Sequence, residues 1–319
     1  MKSYLTNRCQ LVDIGGVKSE LKSIVHGVPQ GSILGPLFFV VYINDLYYHL
    51  LPDKSLLFAD DTTLLSSAKN TEAAMAASRS LLQRAEKWFA ANKLKLNEDK
   101  TKRIIFSPSD DVAGCAKLLG VVVDGSLRWR DHVGCLCRRL STAIFMLRRL
   151  KQTLDTEALL GAYYAFFNSQ LSYGVALWGN SSDALRVFVL QKKAVRIICG
   201  AGYRDHCRPL FQNLKILTLP SMLIYYSLLE MHASSDSYAR NSDFCYDTRL
   251  ADNLRPRRYR LTVSVKNSLN FAFFNRLPQS VRVLPRHAFK HMVKKMLLCH
   301  SFYSINEYLE STLDVSSGD

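Results

Sequence analysis

Two short apolar runs, Ser55–Ala59 and Thr62–Leu65, are separated only by Asp60-Asp61. Runs of that length with so little between them leave room for a tight turn and nothing larger. The segment therefore predicts a β-hairpin with both carboxylates at its tip. Adjacent carboxylates repel each other, so a turn that presents both is most useful where a divalent cation neutralises them. Mg2+ suits such a place, because it takes a few carboxylates together with phosphate oxygens and water. By itself the pair is weak evidence, since Asp favours turn positions and most such pairs are ordinary solvated turns. The flanking sequence has to decide.

Upstream stands Gly27-Val-Pro-Gln-Gly-Ser-Ile-Leu-Gly-Pro36, whose glycines let a backbone approach a flat or phosphate-bearing ligand. Gln30 offers both a donor and an acceptor there. Residues 32–50 predict one buried helix, capped by Ser32, with Pro36 tolerated near its start. Downstream, Asn70 caps an amphipathic helix carrying Leu81, Leu82, Ala85, Trp88 and Phe89 and ending near Asn92. Two strands are expected at Lys102–Phe106 and Leu118–Val123, the second closed by Asp124-Gly125. From about His132 the pattern is helical, with helices near 132–150, 155–171, 182–199, 220–233 and 288–298. A polar loop is expected at Ala233–Asp243 and a strand at Leu261–Val265. Strands mixed with helices, then helices, make an α+β chain.

With 319 residues and 48% of them hydrophobic, the chain can build a large core and is not wholly disordered. The longest apolar stretch, Ile33 to Ile43, is too short to span a bilayer. The first sixteen residues lack the apolar core of a secretory signal, so an intracellular protein of the cytoplasm or nucleus is expected, with no membrane. Eight cysteines are read as ordinary thiols. His132 with Cys135 and Cys137, and Cys199 with His206 and Cys207, lack the paired spacing of a four-ligand site. Lys and Arg outnumber Asp and Glu by 42 to 27, a net +15. Residues 201–300 hold 16 of those bases against 6 acids, while the last 19 residues hold four acids and no base. Such an excess suits a polyanion such as nucleic acid, or a solvated basic surface.

Taken together, GVPQGSILGP, FVVYINDL and LLFADDTTLL resemble the second and third palm motifs of reverse transcriptases from non-LTR retrotransposons. NKLKLNEDKTKRIIFS (92–107) resembles the fourth motif, and KLLGVVVDGSLRWRDHV (117–133) the fifth, which leads into the thumb. SYLTNRCQLV (3–12) resembles the segment before the glycine-rich motif. LSYGVALWG (171–179) and LKILTLP (214–220) resemble the segments beyond the thumb in insect-type elements.

The resemblance implies a partial palm at 1–130, a helical thumb-like region at 131–200 and a basic C-terminal region at 201–319. It implies that Asp60 and Asp61 are metal-binding catalytic carboxylates. Pro29, Gln30 and Gly31 would line the pocket for template base and incoming nucleotide. Lys100 would stabilise the leaving pyrophosphate, or else be a solvated lysine in a charged loop. Trp129 is expected to pack rather than stack on a base. The partners implied are an RNA template, a DNA primer and deoxynucleotides, with Mg2+ as cofactor. The family's first palm motif, which carries a third carboxylate, has no counterpart in these residues, so an N-terminally truncated and inactive fragment is expected. Two other readings stay open: a non-catalytic nucleic-acid-binding protein using Arg255, Arg257, Arg258 and Arg260, and a fragment without function.

Overall fold

The computed structural model describes residues 2–25, 27–107, 114–244, 251–256 and 262–311. Its contacts divide the chain into two units, residues 1–102 and 103–319. Helices and small antiparallel hairpins make up both, an α+β chain as expected. The described strands form four separate two-stranded sheets.

In the first unit a short helix α1 (Lys2–Leu5) precedes two nested hairpins. The outer one pairs β1 (Arg8–Gln10) with β4 (Lys22–Ile24), and the inner one pairs β2 (Asp13–Ile14) with β3 (Val17–Lys18). The stretch expected as one buried helix is two, α2 (Leu34–Ile43) and α3 (Leu46–Leu50), broken at Asn44-Asp45. Side chains of Asn and Asp compete for backbone partners, which explains the break. Burial also differs from expectation. Of α2 only Gly35 and Ile43 are buried, because its apolar residues run all round while one face meets a core. Next come β5 (Lys54–Phe58), β6 (Asp61–Leu65) and the long helix α4 (Thr71–Ala91). The Asn70 cap is as expected: its side chain accepts the Ala73 amide at 2.8 Å. Ile43, Leu46, Leu50, Leu81, Ala85 and Trp88 form the core, with Leu57 and Leu64 of the hairpin packed on it.

Residues 102–106 form no strand; no described segment pairs with them. The single strand expected at 118–123 is instead a hairpin, β7 (Cys115–Leu118) with β8 (Val121–Asp124). Leu119 and Gly120 close it with positive φ of 46° and 87°, as a tight two-residue hairpin turn requires. Leu at a turn gives no sequence signal, hence the difference.

The second unit is then helical: α5 (Arg130–Leu150), α6 (Thr156–Ala162), a π-helical turn at Tyr163–Asn168, α7 (Ser169–Ser172), α8 (Val175–Trp178) and α9 (Ala184–Cys199). There follow α10 (Arg208–Asn213), α11 (Leu219–Ala233), α12 (Thr262–Arg276), α13 (Gln279–Arg282), α14 (Arg286–His300) and α15 (Ile305–Glu310). The expected helices at 132–150, 182–199, 220–233 and 288–298 are therefore present. The 262–265 segment expected as a strand belongs to α12, because packing of Phe271, Phe273 and Phe274 outweighs the β-branched start. Ala233–Asp243, expected as a loop, runs from the end of α11 through a 3-10 turn at Ser235–Ser237 and an isolated bridge from Arg240 to Leu254 into a second 3-10 turn at Ser242–Phe244. Two hydrophobic clusters fill this unit, one around α5 and α9, the other around α11, α12 and α14. Trp129 packs in the first, as expected. Among the described residues no helix is long and apolar enough to cross a membrane.

The joint between β8 and α5 is held by two titratable groups. The Asp124 carboxylate accepts the amides of Ser126, Arg128 and Trp129 and the Ser126 hydroxyl, at 2.7 to 3.1 Å. Burial alone would raise its pKa, yet these hydrogen bonds hold it below the usual aspartate value. His132 is buried between Trp129 and Trp178, and its Nδ1 accepts the Val122 amide at 3.3 Å. Burial, and then the Arg139 charge, push the imidazole below its ordinary value of 6.5.

A group with a depressed folded pKa contributes its full stability above the unfolded value and loses it as pH falls. Stability should therefore be level above about pH 6.5, decline below it through His132, and decline again below the ordinary aspartate value of 3.8 through Asp124. His132→Asn, whose Oδ1 can accept the Val122 amide, should abolish the first decline and leave the second. Denaturation midpoints from pH 3 to 8 check this (an experimental range of about five units). Identical profiles for both proteins would contradict it.

Candidate functional site

The glycine-rich loop leaves β4 and enters α2. The Pro29 carbonyl accepts the Ser32 amide at 3.3 Å, closing a turn with Gln30 and Gly31 at its centre. Gly31 has φ 80°, the value that the third residue of a type II turn needs and that side chains disfavour. The loop is anchored from both sides. Arg8 donates to the Gly27 carbonyl, Tyr4 and Ser32 share a hydroxyl hydrogen bond, and the Ser32 Oγ accepts the Gly35 amide at 3.2 Å. Ser32 thus caps the helix as its position suggested. Pro29, Gln30 and Gly31 are all exposed.

The acidic hairpin differs from expectation by one residue at its turn. Phe58 pairs with Asp61, so Ala59 and Asp60 form the turn and Asp61 begins β6. Ala59 supplies the positive φ, 51°, that closes such a turn, which is why the loop falls one residue early. Leu57 lies opposite Thr62 and Ser55 opposite Leu64, so the two leucines sit diagonally on the face that meets the core. Asp61 shares the other face with Leu56 and Phe58, which are 60% and 64% exposed. Both aspartates are exposed, and among the described residues neither carboxylate accepts a hydrogen bond or joins an ion pair.

One residue that holds this hairpin was not singled out from the sequence. Arg84 of α4 pairs with Asp53 at 2.7 Å and donates to the His49 and Leu51 carbonyls at 2.8 and 2.9 Å. It thereby ties α4 to the link between α3 and β5. Its place three residues after buried Leu81 and four before buried Trp88 was the available signal. Tyr42 adds a second tie, donating to the Asn92 carbonyl.

Lys100 lies in a short 3-10 turn, Glu98–Lys100, where the Asn97 side chain accepts its amide at 3.3 Å. Its side chain is exposed, and among the described residues no hydrogen bond or ion pair joins it to Asp60 or Asp61. Arg255 is half-buried and its amide donates to the Ala239 carbonyl at 2.8 Å; Arg257, Arg258 and Arg260 lie outside the described residues. Among the described residues no group of three His, Cys, Asp or Glu is placed to hold a metal. Asp60 and Asp61 are hard oxygen donors, and two of them suit one hard cation completed by water or phosphate oxygens.

Replacing Arg84 with Met keeps the stem but removes all three interactions. The first unit should lose about 1 to 2 kcal/mol, since a partly exposed charge makes one ion pair and two carbonyl bonds. Urea denaturation checks it, and an unchanged midpoint would mean that the tie adds nothing.

Residues 1–123 match the family model described as reverse transcriptase (RNA-dependent DNA polymerase). Over 265 residues, 74% of this chain, it is 26% identical to the RNA-directed DNA polymerase from mobile element jockey of Drosophila melanogaster. It is 30% identical over 250 residues, 70% of this chain, to the probable RNA-directed DNA polymerase from transposon BS of the same fly. The similar protein of its transposon X-element is 26% identical over 271 residues, 76% of this chain. The chain spans 28% to 30% of the length of these three curated relatives. No solved structure matches it. The similarity to reverse transcriptases thus lies in residues 1–123 by the family model, and over about three quarters of the chain by the polymerases of these mobile elements.

Proposed function

We propose that the glycine-rich turn and the acidic hairpin are part of a nucleotide-addition site for RNA-directed DNA synthesis. The observation that carries this reading is the pair of carboxylates, Asp60 and Asp61, exposed and without hydrogen-bond partners on a hairpin fixed from behind by α4. In it, Asp60 and Asp61 hold Mg2+, which when bound neutralises phosphate charge. Pro29, Gln30 and Gly31 receive the template base and the deoxynucleotide, where the exposed Gly31 turn lets a ligand approach the backbone. Lys100 places a cation for the leaving pyrophosphate. The partial palm takes up 1–130, the thumb 131–200 and the basic region 201–319, with an RNA template and DNA primer as partners.

Among the described residues no third carboxylate joins Asp60 and Asp61, where the family's site uses three. The chain as given should therefore not extend a primer on an RNA template with Mg2+ or Mn2+. Template-dependent incorporation that vanishes on Asp60→Ala would overturn this and show that another acid completes the site. A second reading, a nucleic-acid-binding protein without catalysis, is favoured by the +15 charge together with this two-carboxylate site.

The metal component is testable without activity. Two oxygens and several waters should bind one Mn2+ weakly, with a dissociation constant on the order of millimolar. Added deoxynucleotide should tighten it by contributing phosphate oxygens. Proton relaxation enhancement by Mn2+ should drop on Asp60→Asn. Equal enhancement in both proteins would reduce the hairpin to an ordinary acidic turn.

A further inference from the structure

From Asn253 to Asn306 the chain has 54 residues with eleven Lys or Arg and no Asp or Glu. Within this stretch α14 breaks three local rules of helix stability at once. Arg286 and Lys290 occupy its N-terminal turns, where the helix dipole disfavours cations. Arg286, Lys290 and Lys294 follow one another at intervals of four, so each repels the next. No acid anywhere on the helix relieves them. All three are exposed, and among the described residues none has an ion-pair or hydrogen-bond partner. A helix kept against its own electrostatics is the kind of local conflict found at binding surfaces.

We infer that the outer face of α14 is a contact surface for the phosphate backbone of nucleic acid. The row 286–290–294 places three cations about 6 Å apart along the axis, a linear array that a chain of phosphates complements. His287 and His291 line the adjacent row. An anionic membrane would also attract the charge, but a helix that lies on lipid needs a free apolar face to insert. Here that face is used: Phe289, Val293, Met296 and Leu297 are buried in the cluster with α11 and α12. Sequence preference should be slight, because phosphate contacts position a protein without reading bases. This surface does not rest on the polymerase reading, since neither Asp60 nor Asp61 takes part in it.

The test is the salt dependence of binding to a single-stranded oligonucleotide, followed by fluorescence anisotropy with the full chain. Neutralising three phosphate contacts by Arg286→Gln, Lys290→Gln and Lys294→Gln should lower the slope of log affinity against log salt by about 2, at roughly 0.7 for each contact on a single strand. Should that variant lose helicity, the pair Lys290→Gln and Lys294→Gln should lower it by about 1.4. Lys290→Arg with Lys294→Arg should keep the full slope. An unchanged slope in a folded variant would overturn the proposal. So would an equal fall when the exposed bases Lys22, Lys69 and Lys93 of the first unit are neutralised instead, which would mean diffuse net charge. Loss of binding to phosphatidylserine vesicles with oligonucleotide binding intact would assign the face to a membrane. Neutralising Arg255, Arg257, Arg258 and Arg260 gives the comparison: a fall in slope there but none at α14 would place the contact on the arginine segment.

Discussion

Burial of Leu81, Ala85 and Trp88 against Leu46 and Leu50 is the contact on which the first unit depends. Each large side chain taken out of water there contributes roughly 1.5 to 3 kcal/mol, far more than a two-stranded hairpin can supply from its own ladder. The hairpin is stable because Leu57 and Leu64 lean on this cluster. Its turn is then fixed by register, and register fixes where Asp60 and Asp61 stand. Arg84 closes the arrangement from the side by holding the chain that leads into β5. The acidic tip is thus a consequence of helix packing two layers behind it.

Much of this was legible in the residues, and for identifiable reasons. The α4 helix has a strong cap and a three-and-four spacing of apolar residues, and α5 and α9 have the same long periodicity. Periodic signals of that length survive any tertiary context. The acidic hairpin was legible too, apart from its turn, because two apolar runs so close together can only fold back. The features that escaped were set by contacts at a distance. Leu119-Gly120 turns a chain that reads as one strand, and Tyr173 closes over that turn by donating to the Leu119 carbonyl. The β-branched start of α12 reads as a strand but is drawn into the helix by its own aromatic second half, which enters the core. Arg84 reads as a surface charge until the carbonyls of His49 and Leu51 are placed beside it.

The two units use charge in different ways. In the first, the exposed acids at the hairpin tip and the exposed backbone of the Gly31 turn offer a small set of groups for a small ligand. In the second, Arg286, Lys290 and Lys294 stand exposed in a long acid-free segment, a charge pattern suited to an extended polyanion. The two features rest on separate residues and separate cores, so the two proposed kinds of binding can be tested one without the other.

Hydrogen bonding divides the carboxylates of this chain into those with internal donors and those without. Asp124 accepts four donors, which satisfies its oxygens and fixes the entry to α5, so little capacity is left for a cation. Asp53 is taken by Arg84, and Asp155 accepts the Ala158 amide at the start of α6. Glu307 is shared between Arg208 and the Tyr303 amide. Asp60 and Asp61 stand apart from all of these: among the described residues no donor meets either carboxylate. Two adjacent negative charges with no internal compensation cost the fold stability through their repulsion. Under the function proposed above, a fixed hairpin that keeps them exposed would have that repulsion relieved by a hard cation and the phosphates that accompany it.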